Sequence, residues 1–237
     1  MPLLPFLAPD DPFPPSSEAL DYPSGLLAVS EDLGPDRLLA AYRRGIFPWF
    51  EEPQPVLWWT PDPRLVLFPA EFHCARSLRR TLRRQRFRLT VDACFREVME
   101  ACAAPRPGQD GTWISPRMVA AYGALHDAGH AHSIEAWDRE GRLAGGLYGV
   151  CIGGAFFGES MFSRAPDASK VALAGLAHLL EAGGGRIIDC QVETDHLLSL
   201  GARSIPRVDF EAMLAQTVDD EMKPGAWRLP AETGALA

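Results

Sequence analysis

Two polar side chains in an apolar segment could perform chemistry. Asp189 and Gln191 flank Cys190 in IIDCQV, a run that predicts a short buried strand. Because strand residues alternate between faces, Asp189 and Gln191 should share one face, where the carboxylate would hold the amide with its carbonyl toward a reacting group. The alternative is that both only satisfy buried backbone groups. A strand-buried Cys190 without a neighbouring His or cation is typical of an inert thiol.

A third polar residue, Glu159, interrupts the apolar run AFFGESMF. This run predicts the returning strand of a β-hairpin that begins with LYGVCI and turns at Gly153 and Gly154. A buried carboxylate is unfavourable unless a cation or hydrogen-bond donors meet it. Glu159 is therefore either a functional carboxylate or a charge on an edge strand that faces water.

Basic residues are concentrated in one segment of an acidic chain. The net charge is −8, yet RSLRRTLRRQRFR, from Arg76 to Arg88, contains seven arginines and no acid. At about 100° per residue, Leu78 and Leu82 fall on one side of the predicted helix. The other side carries an arginine stripe, which consists of Arg76, Arg79, Arg80, Arg83 and Arg84. Solvated helix faces usually mix charge signs, so this stripe favours a polyanion, RNA or DNA rather than a nucleotide, over simple solvation.

Aromatic residues provide a possible binding surface for bases. Trp49 and Trp113 lie in predicted loops, and loop tryptophans near an arginine patch can stack on unpaired bases. The alternative for each aromatic residue is core packing, since tryptophan buries a large apolar area. The candidates are Trp49, Trp58, Trp59, Trp113 and Tyr122.

Histidine and cysteine spacing gives little support for a metal centre. His126, His130 and His132 have HxxxH and HxH spacings, but Gly129 should end the helix between the first and second. The alternative is a set of histidines at a helix exit near water. Five cysteines at irregular spacing, without a CxxC pair, indicate reduced thiols in a cytoplasmic protein. The N-terminal segment lacks the basic region of an export signal, and no apolar run is long enough to span a bilayer.

The 237 residues must position these groups with one large or two small domains. Residues 1–61 predict a small N-terminal domain with an extended, proline-rich arm, and residues 62–237 the main domain. Strands and helices alternate in an order that predicts an α/β (α+β) fold with a mixed, largely antiparallel sheet. The predicted helices cover Pro35–Arg44, the arginine segment, residues 94–104, residues 116–128, Asp167–Glu181, HLLSL and Asp209–Val218.

Long ordered motifs resemble one known family. They include DRLLAAYRRGIFPWF, WWTPDPRLVL, SLRRTLRR, GTWISPRMVAAY, LHDAGHAHSIEAW, GGLYGV, FFGESMFSR, DASKVAL, IIDCQV and HLLSLGA. From about Leu26 to Phe210 the chain is similar to leucyl/phenylalanyl-tRNA–protein transferases. The resemblance implies a GNAT-like acyltransferase domain after the small N-terminal domain. It also implies transfer of Leu or Phe, and less well Met, from aminoacyl-tRNA to the α-amine of proteins with N-terminal Arg or Lys. The product would be an N-degron for protein degradation.

The resemblance also assigns roles to residues. It implies that Glu159, Asp189 and Gln191 act at the reacting amine, that Trp49, Trp113 and Tyr122 surround the aminoacyl-adenosine, and that the arginine stripe binds tRNA. The aminoacyl side-chain pocket would be formed by Leu147, Phe156, Met161, Leu173, Leu176 and Ile188. The family uses no metal or cofactor, and we expect a cytoplasmic monomer without a membrane partner. Leu147 and Leu176 stand where relatives often carry Met and Phe, which leaves the preference between Leu and Phe open.

Two alternatives come from other functional classes. An acyl-CoA-dependent GNAT acetyltransferase would need a Q/R-x-x-G-x-G/A loop for the pyrophosphate. The nearest stretch, RLAGGL from Arg142 to Leu147, lacks the last small residue and leads into a strand. A non-catalytic RNA-binding protein would explain the arginines and tryptophans. It would give no reason for Glu159, Asp189 and Gln191 to surround an apolar pocket.

Overall fold

A computed structural model describes residues 4–105, 112–223 and 227–237, so most of the predicted PRPGQDG loop lies outside the described residues. The N-terminal part contains β1 (Phe6–Leu7), β2 (Leu26–Ser30), helix α1 (Pro35–Tyr42), β3 (Phe47–Pro48) and β4 (Val56–Trp59). The four strands form a sheet in the order β1-β2-β4-β3, in which only β1 and β2 run parallel.

The N-terminal arm follows the surface of α1 in a mostly extended conformation, as its prolines predict. The buried Arg37 side chain donates hydrogen bonds to the carbonyl oxygens of Asp11 and Ala8, at 2.6 and 2.7 Å. Phe13 is buried against Trp58, with ring centroids 5.0 Å apart. Trp58 is therefore a core residue.

A seven-stranded sheet forms the rest of the core. Its strands, in chain order, are β5 (Arg64–Leu67), β6 (Arg88–Val91), β7 (Ala131–Trp137), β8 (Leu143–Ile152), β9 (Ala155–Ser163), β10 (Ile187–Gln191) and β11 (Arg203–Ile205). The spatial order is β11-β5-β10-β9-β8-β7-β6, and only β9 and β10 are parallel. This arrangement confirms the predicted mixed, largely antiparallel sheet.

Helices cover both faces of this sheet. They are α2 (Arg76–Arg83), α3 (Phe95–Ala103), α4 (Pro116–Asp127), α5 (Ala168–Gly183), α6 (Asp195–Leu198) and α7 (Arg207–Ala215). Leu147 of β8 belongs to the core beneath α5, whereas its neighbour Tyr148 packs with α3 and α4, as strand alternation requires. Ser115 Oγ caps α4 by accepting a hydrogen bond from the Met118 backbone, which confirms the predicted helix start. No helix among the described residues combines the length and apolarity needed to cross a membrane.

The central parallel pair is short, and this creates the site. The β9–β10 register covers only Ala155–Phe157 of β9 and residues 187–189 of β10. Immediately afterwards both strands become irregular: β9 at Glu159, against β8, and β10 at Cys190, against β5. The two strands therefore separate at the level of Glu159 and Gln191.

Candidate active site

A cleft with a volume of about 1020 Å³ opens where β9 and β10 separate. Its wall brings together ten residues that the sequence nominated for three different roles. These are Trp49, Trp113, Leu147, Phe156, Glu159, Met161, Leu173, Leu176, Ile188 and Gln191. Asp189 and Tyr122 are not in the wall and lie behind it.

Glu159 is the centre of a hydrogen-bond network at the vertex of the cleft. It is the extra residue of a β-bulge, because the adjacent Tyr148 and Gly149 pair with Ser160 and Gly158. Bulges are frequent next to active sites, since they redirect a side chain. The carboxylate accepts hydrogen bonds from the Tyr42 hydroxyl (2.7 Å), the Tyr122 hydroxyl (2.9 Å) and Gln191 Nε2 (2.9 Å). Glu159 thus meets donors rather than a cation.

Burial controls the protonation of this network. It raises the pKa of Glu159 to about 7, although the hydrogen bonds from Tyr42, Tyr122 and Gln191 act in the opposite direction. Burial, followed by the charge of Glu159, also raises the pKa of Tyr42 and Tyr122 well above 10.0. The two phenols therefore stay protonated and donate hydrogen bonds, while Glu159 titrates near neutral pH.

Gly149 is the residue that admits the bulge. A Cβ atom at this position would lie 2.1 Å from the Phe157 carbonyl oxygen and 2.6 Å from the Phe156 ring. Real Cβ atoms do not approach backbone so closely, so any side chain would force β8 and β9 apart. The position of Glu159 depends on a glycine across the ladder.

Gln191 is held differently from the sequence prediction. The irregularity at Cys190 breaks strand alternation, and Gln191 adopts a left-handed backbone with φ of +63°. Glu159, not Asp189, holds the Gln191 amide, whereas Asp189 Oδ1 accepts the Gln191 backbone N–H at 2.9 Å. The predicted contact of Asp189 with the amide is therefore wrong, because Asp189 acts on the Gln191 main chain. The left-handed conformation is uncommon for residues other than glycine and often occurs at functional sites.

Arg64 is the partner of Asp189 that sequence reasoning missed. Its Nε and Nη2 atoms donate to the two carboxylate oxygens of Asp189 at 2.7 and 2.6 Å, and both side chains are fully buried. The guanidinium lies between the rings of Phe47 and Phe210, 4.8 Å from each centroid. The signal was an arginine at the start of the apolar run RLVLF. The pair fixes the backbone of Gln191 from behind the cleft.

Two tyrosines complete the network. Tyr42, which lies in the predicted helix Pro35–Arg44 and received no role from the sequence, is fully buried and reaches Glu159 from the N-terminal part. Tyr122 is also fully buried, and its ring packs edge-on against Tyr42 and Tyr148. Its ring therefore has no free face for stacking in this structure. Tyr122 contributes its hydroxyl group, which donates a hydrogen bond to Glu159.

The two loop tryptophans differ from Tyr122 in their exposure. Trp49 is 49% exposed, and its ring lies 5.7 Å from that of Trp59, whose Nε1 donates to the Trp49 carbonyl oxygen at 2.7 Å. Trp113 is partly buried and precedes α4. Both line the cleft. They therefore offer ring surface to a ligand in the cleft.

The apolar part of the cleft lies between the sheet and α5. Leu173 and Leu176 project from α5 toward Leu147, Phe156 and Ile188 of the sheet. Cys190 also lines this region, and burial raises the pKa of its thiol well above 9.0, which agrees with the prediction of an inert cysteine. The region can hold an aliphatic or aromatic side chain of moderate size.

The arginine stripe lies on the exposed face of α2. All five arginines are exposed, whereas Leu78 and Leu82 are buried beneath the helix, as the sequence predicted. Across the three described ranges, none of the five guanidinium groups forms an ion pair with a carboxylate. The Thr81 hydroxyl donates to Asp167 at the start of α5, at 2.9 Å. The stripe is thus an unneutralised surface on a helix that is docked against a wall of the cleft.

Two of the three clustered histidines, His126 and His132, have local partners. His126 stacks on Phe95, with centroids 4.3 Å apart, and its Nδ1 lies 2.8 Å from the Ala131 carbonyl oxygen. His132 Nδ1 lies 2.7 Å from Asp92. Both rings are partly buried rather than open to water. In the part of the chain that the structure describes, no group of three or more His, Cys, Asp and Glu side chains is arranged to hold a metal ion.

Comparison with solved structures gives a weak similarity. The structure of L-PGS from Bacillus licheniformis aligns with a TM-score of 0.39 and 10% sequence identity, covering 71% of this chain and 54% of that one. A similarity of this size does not bear on fold or activity.

Comparison with sequences is decisive. A profile described as leucyl/phenylalanyl-tRNA protein transferase matches residues 66–215, and a profile for the N-terminal domain of that family matches residues 31–62. The leucyl/phenylalanyl-tRNA–protein transferase of Thiobacillus denitrificans is 61% identical over 215 residues, covering 91% of this chain and 94% of the relative. That of Nitrosomonas europaea is 59% identical over 207 residues, covering 87% of each chain. The chain therefore belongs to the leucyl/phenylalanyl-tRNA–protein transferase family and is an aminoacyltransferase.

Proposed function

We propose that this enzyme transfers Leu or Phe, and less well Met, from aminoacyl-tRNA to the α-amine of proteins with N-terminal Arg or Lys. The observation that carries the proposal is the Gln191 amide, which Glu159 holds at the wall of a cleft with an apolar pocket. The product would be an N-degron. We place the reaction in the cytoplasm, where charged tRNA and new proteins meet.

The pocket between the sheet and α5 supports the choice of acyl group. Leu147, Phe156, Met161, Leu173, Leu176 and Ile188 would surround the transferred side chain. Leu, Phe and Met are unbranched at Cβ and flexible enough to enter. Ile and Val carry an extra methyl group at Cβ, and one such group changes binding by about 1–3 kcal/mol.

The polar vertex would position the acceptor amine. Glu159 is an acceptor-only carboxylate when ionised, so it orients Gln191 with Nε2 toward itself and Oε1 on the opposite side of the planar amide. Within the described residues Oε1 accepts no hydrogen bond. We assign Oε1 as the acceptor for an N–H of the incoming amine. Because an amide is a weak base, positioning is its main contribution.

The bond changes need no further reagent. The deprotonated amine attacks the ester carbonyl carbon, a C–N bond forms, and the C–O bond to the terminal ribose breaks. The ribose oxygen leaves with a proton, and the ammonium proton is lost to solvent or through the Glu159 network. An aminoacyl ester is already activated, so ATP and metal are not required for this step.

The remaining assignments concern the tRNA and the architecture. The exposed arginine stripe would bind the phosphates of the tRNA acceptor stem, and Trp49 and Trp113 would stack on the terminal adenosine. Tyr122 would act there only through Glu159. We also propose the division at residue 61 into an N-terminal domain and a GNAT-like catalytic domain, and a monomeric enzyme.

A transfer assay tests the proposal. Radiolabelled Leu-tRNA is supplied with three peptides that differ only in an N-terminal Arg, Lys or Ala. We expect incorporation into the Arg and Lys peptides and little into the Ala peptide. Equal incorporation into all three would refute the proposed acceptor specificity, and the lack of any incorporation would refute the donor.

A further inference from the structure

The C-terminal tail, residues 227–237, lies beyond the region that matches the family profile, which ends at residue 215. Its apolar side chains pack on the core beneath α5, which contains both the aminoacyl pocket and the buried side of the arginine helix α2. Trp227, Leu229 and Leu236 make these contacts. The mechanism proposed above does not use this segment.

The tail begins beside the aminoacyl pocket. The Trp227 indole stacks on the His132 imidazole, with centroids 4.0 Å apart and planes inclined by 23°. Asp92 fixes that imidazole through a 2.7 Å contact to Nδ1. The indole also lies 6.4 Å from the ring of Phe156, which lines the pocket. This end of the tail is therefore anchored to the pocket wall.

The tail then crosses α5 at Gly175. A Cβ atom at Gly175 would lie 3.2 Å from the Leu229 side chain and 2.7 Å from that of Leu89. The helix thus lacks a side chain where the tail passes. Gly175 lies between Leu173 and Leu176, the two α5 residues of the pocket. The tail therefore packs against α5 where Gly175 also faces Leu89 of β6 and Ile134 of β7.

The far end of the tail holds the turn between α2 and β6. The Thr233 hydroxyl is buried and lies 3.2 Å from the Leu82 carbonyl oxygen and 3.4 Å from that of Phe87. Gln85, which has a left-handed backbone in this turn, donates to Glu232 at 2.7 Å. These contacts are made at the C-terminal end of α2, which carries the arginine stripe. The tail therefore contacts both the pocket wall and the arginine helix.

We infer that the C-terminal tail is a brace that positions the arginine helix relative to the aminoacyl pocket, with Thr233 as the positioning residue at the helix end. This inference rests on the proposed role of the stripe in binding tRNA. The brace keeps the exposed arginines at a fixed distance from the cleft, so that the stem and the charged 3′ end engage together. A small donor that lacks the stem does not depend on it.

The experiment compares donors of two sizes in Thr233→Val. The change removes the buried hydroxyl and keeps the shape of the side chain. We expect the dissociation constant for whole Leu-tRNA to rise about threefold to tenfold. The KM for 2′(3′)-O-leucyl-adenosine, which has no stem, should stay unchanged. Thr233→Ser should restore tRNA affinity.

Thr217→Val is the matched control. Thr217 is also a buried threonine that donates to a main-chain carbonyl, that of Met213 at 2.6 Å, but it lies beside the turn at Gly153 and Gly154. Both Thr→Val variants lose a buried hydrogen bond, so we expect a similar loss of thermal stability in each, but Thr217→Val should leave tRNA affinity unchanged. If Thr233→Val does not fold, Glu232→Ala, which removes an exposed hydrogen bond to the same turn, should weaken tRNA binding in the same direction.

The outcomes separate the brace from the role of the stripe. Equal changes for both donors, or no change for either, would overturn the brace. Arg80→Ala is measured in parallel. If it weakens tRNA binding while the tail variants do not, the brace fails and the stripe stands. If Arg80→Ala has no effect either, the proposed tRNA surface fails.

Discussion

The Glu159 network and the arginine stripe both gather charged side chains, but they treat charge in opposite ways. In the network, Glu159 meets three donors, and the buried Asp189 meets a buried Arg64. In the stripe, five guanidinium groups face solvent, and none of them forms an ion pair with a carboxylate of the described residues. Buried charge must be satisfied within the protein, whereas exposed charge can be left for a ligand to neutralise. The first region therefore has a fixed geometry, whereas the second leaves its positive charge exposed to solvent.

Removal of Asp189 should have the largest effect. Asp189→Ala leaves Arg64 buried and unpaired, which lowers the free energy of unfolding by about 3–5 kcal/mol, and it releases the Gln191 backbone. We expect undetectable Leu transfer with tRNA binding retained under conditions where the variant is folded.

A double variant separates folding from function in this region. Arg64→Met with Asp189→Leu replaces the buried pair by apolar side chains and should recover most of the stability measured by urea denaturation. It should not recover transfer. Wild-type turnover in the double variant would show that the pair serves folding alone.

Removal of the Gln191 amide should have the next largest effect. Gln191→Ala should lower kcat/KM for transfer by about 10²-fold with the affinity for tRNA unchanged. Gln191→Asn is the control for backbone strain, because Asn tolerates the left-handed conformation and keeps an amide that is one methylene shorter. If kcat/KM falls in Gln191→Asn nearly as far as in Gln191→Ala, the position of the amide, and not its mere presence, is what the reaction requires. Near wild-type activity in either variant would contradict the assigned role.

Charge reversal in the stripe tests the second region. Arg80→Glu with Arg84→Glu should weaken tRNA binding by at least about tenfold at low salt and flatten the dependence of log K on log salt, because fewer counterions are released. Transfer from leucyl-adenosine should not change. The control is Arg96→Glu with Arg142→Glu, which alters net charge equally at exposed arginines that already pair with Asp127 and Asp138. An equal loss of tRNA affinity in the control would show that net charge, and not the arginine stripe, determines binding.

The smallest expected effect is on how stability and activity depend on pH. Since the pKa of Glu159 is raised to about 7 from 4.5, the folded enzyme holds a proton that the unfolded chain releases between these values. The stability contribution of Glu159 therefore falls as pH rises from 4.5 to 7. Relative to wild type, Glu159→Gln should gain stability across this window in thermal melts.

The same residue should shape the activity profile. In wild type, kcat/KM should rise with pH through an inflection near 7, as Glu159 ionises, and again as the acceptor amine deprotonates near pH 8. Glu159→Gln should keep only the second rise. An inflection near 7 that persists in this variant would assign it to another group.

Sequence reasoning was more successful for the exposed region than for the buried one. The helical period of Leu78 and Leu82 already defines which side of α2 is buried, so the stripe follows from local pattern. The six pocket residues were reached through family resemblance, and all of them line the cleft. The buried network depends on contacts between segments far apart in the chain, such as Arg64 with Asp189, which no periodicity encodes.

Two further differences between prediction and structure have a physical cause. The alternation rule for Asp189 and Gln191 failed because an extra residue and a positive φ break the strand between them. The N-terminal sheet went unpredicted because its strands have two to five residues, are separated by prolines and pair with distant segments. In both cases tertiary contacts override the local pattern.

The glycine opposite the bulge makes the enzyme vulnerable to inherited change. Gly149 touches no substrate group that we assign, yet a single nucleotide change that adds a methyl group there would press on the Phe157 carbonyl and shift the strand that carries Glu159. A lineage can therefore lose the reaction through a residue without reactive atoms. Mutational surveys that score only polar cleft residues would overlook this position.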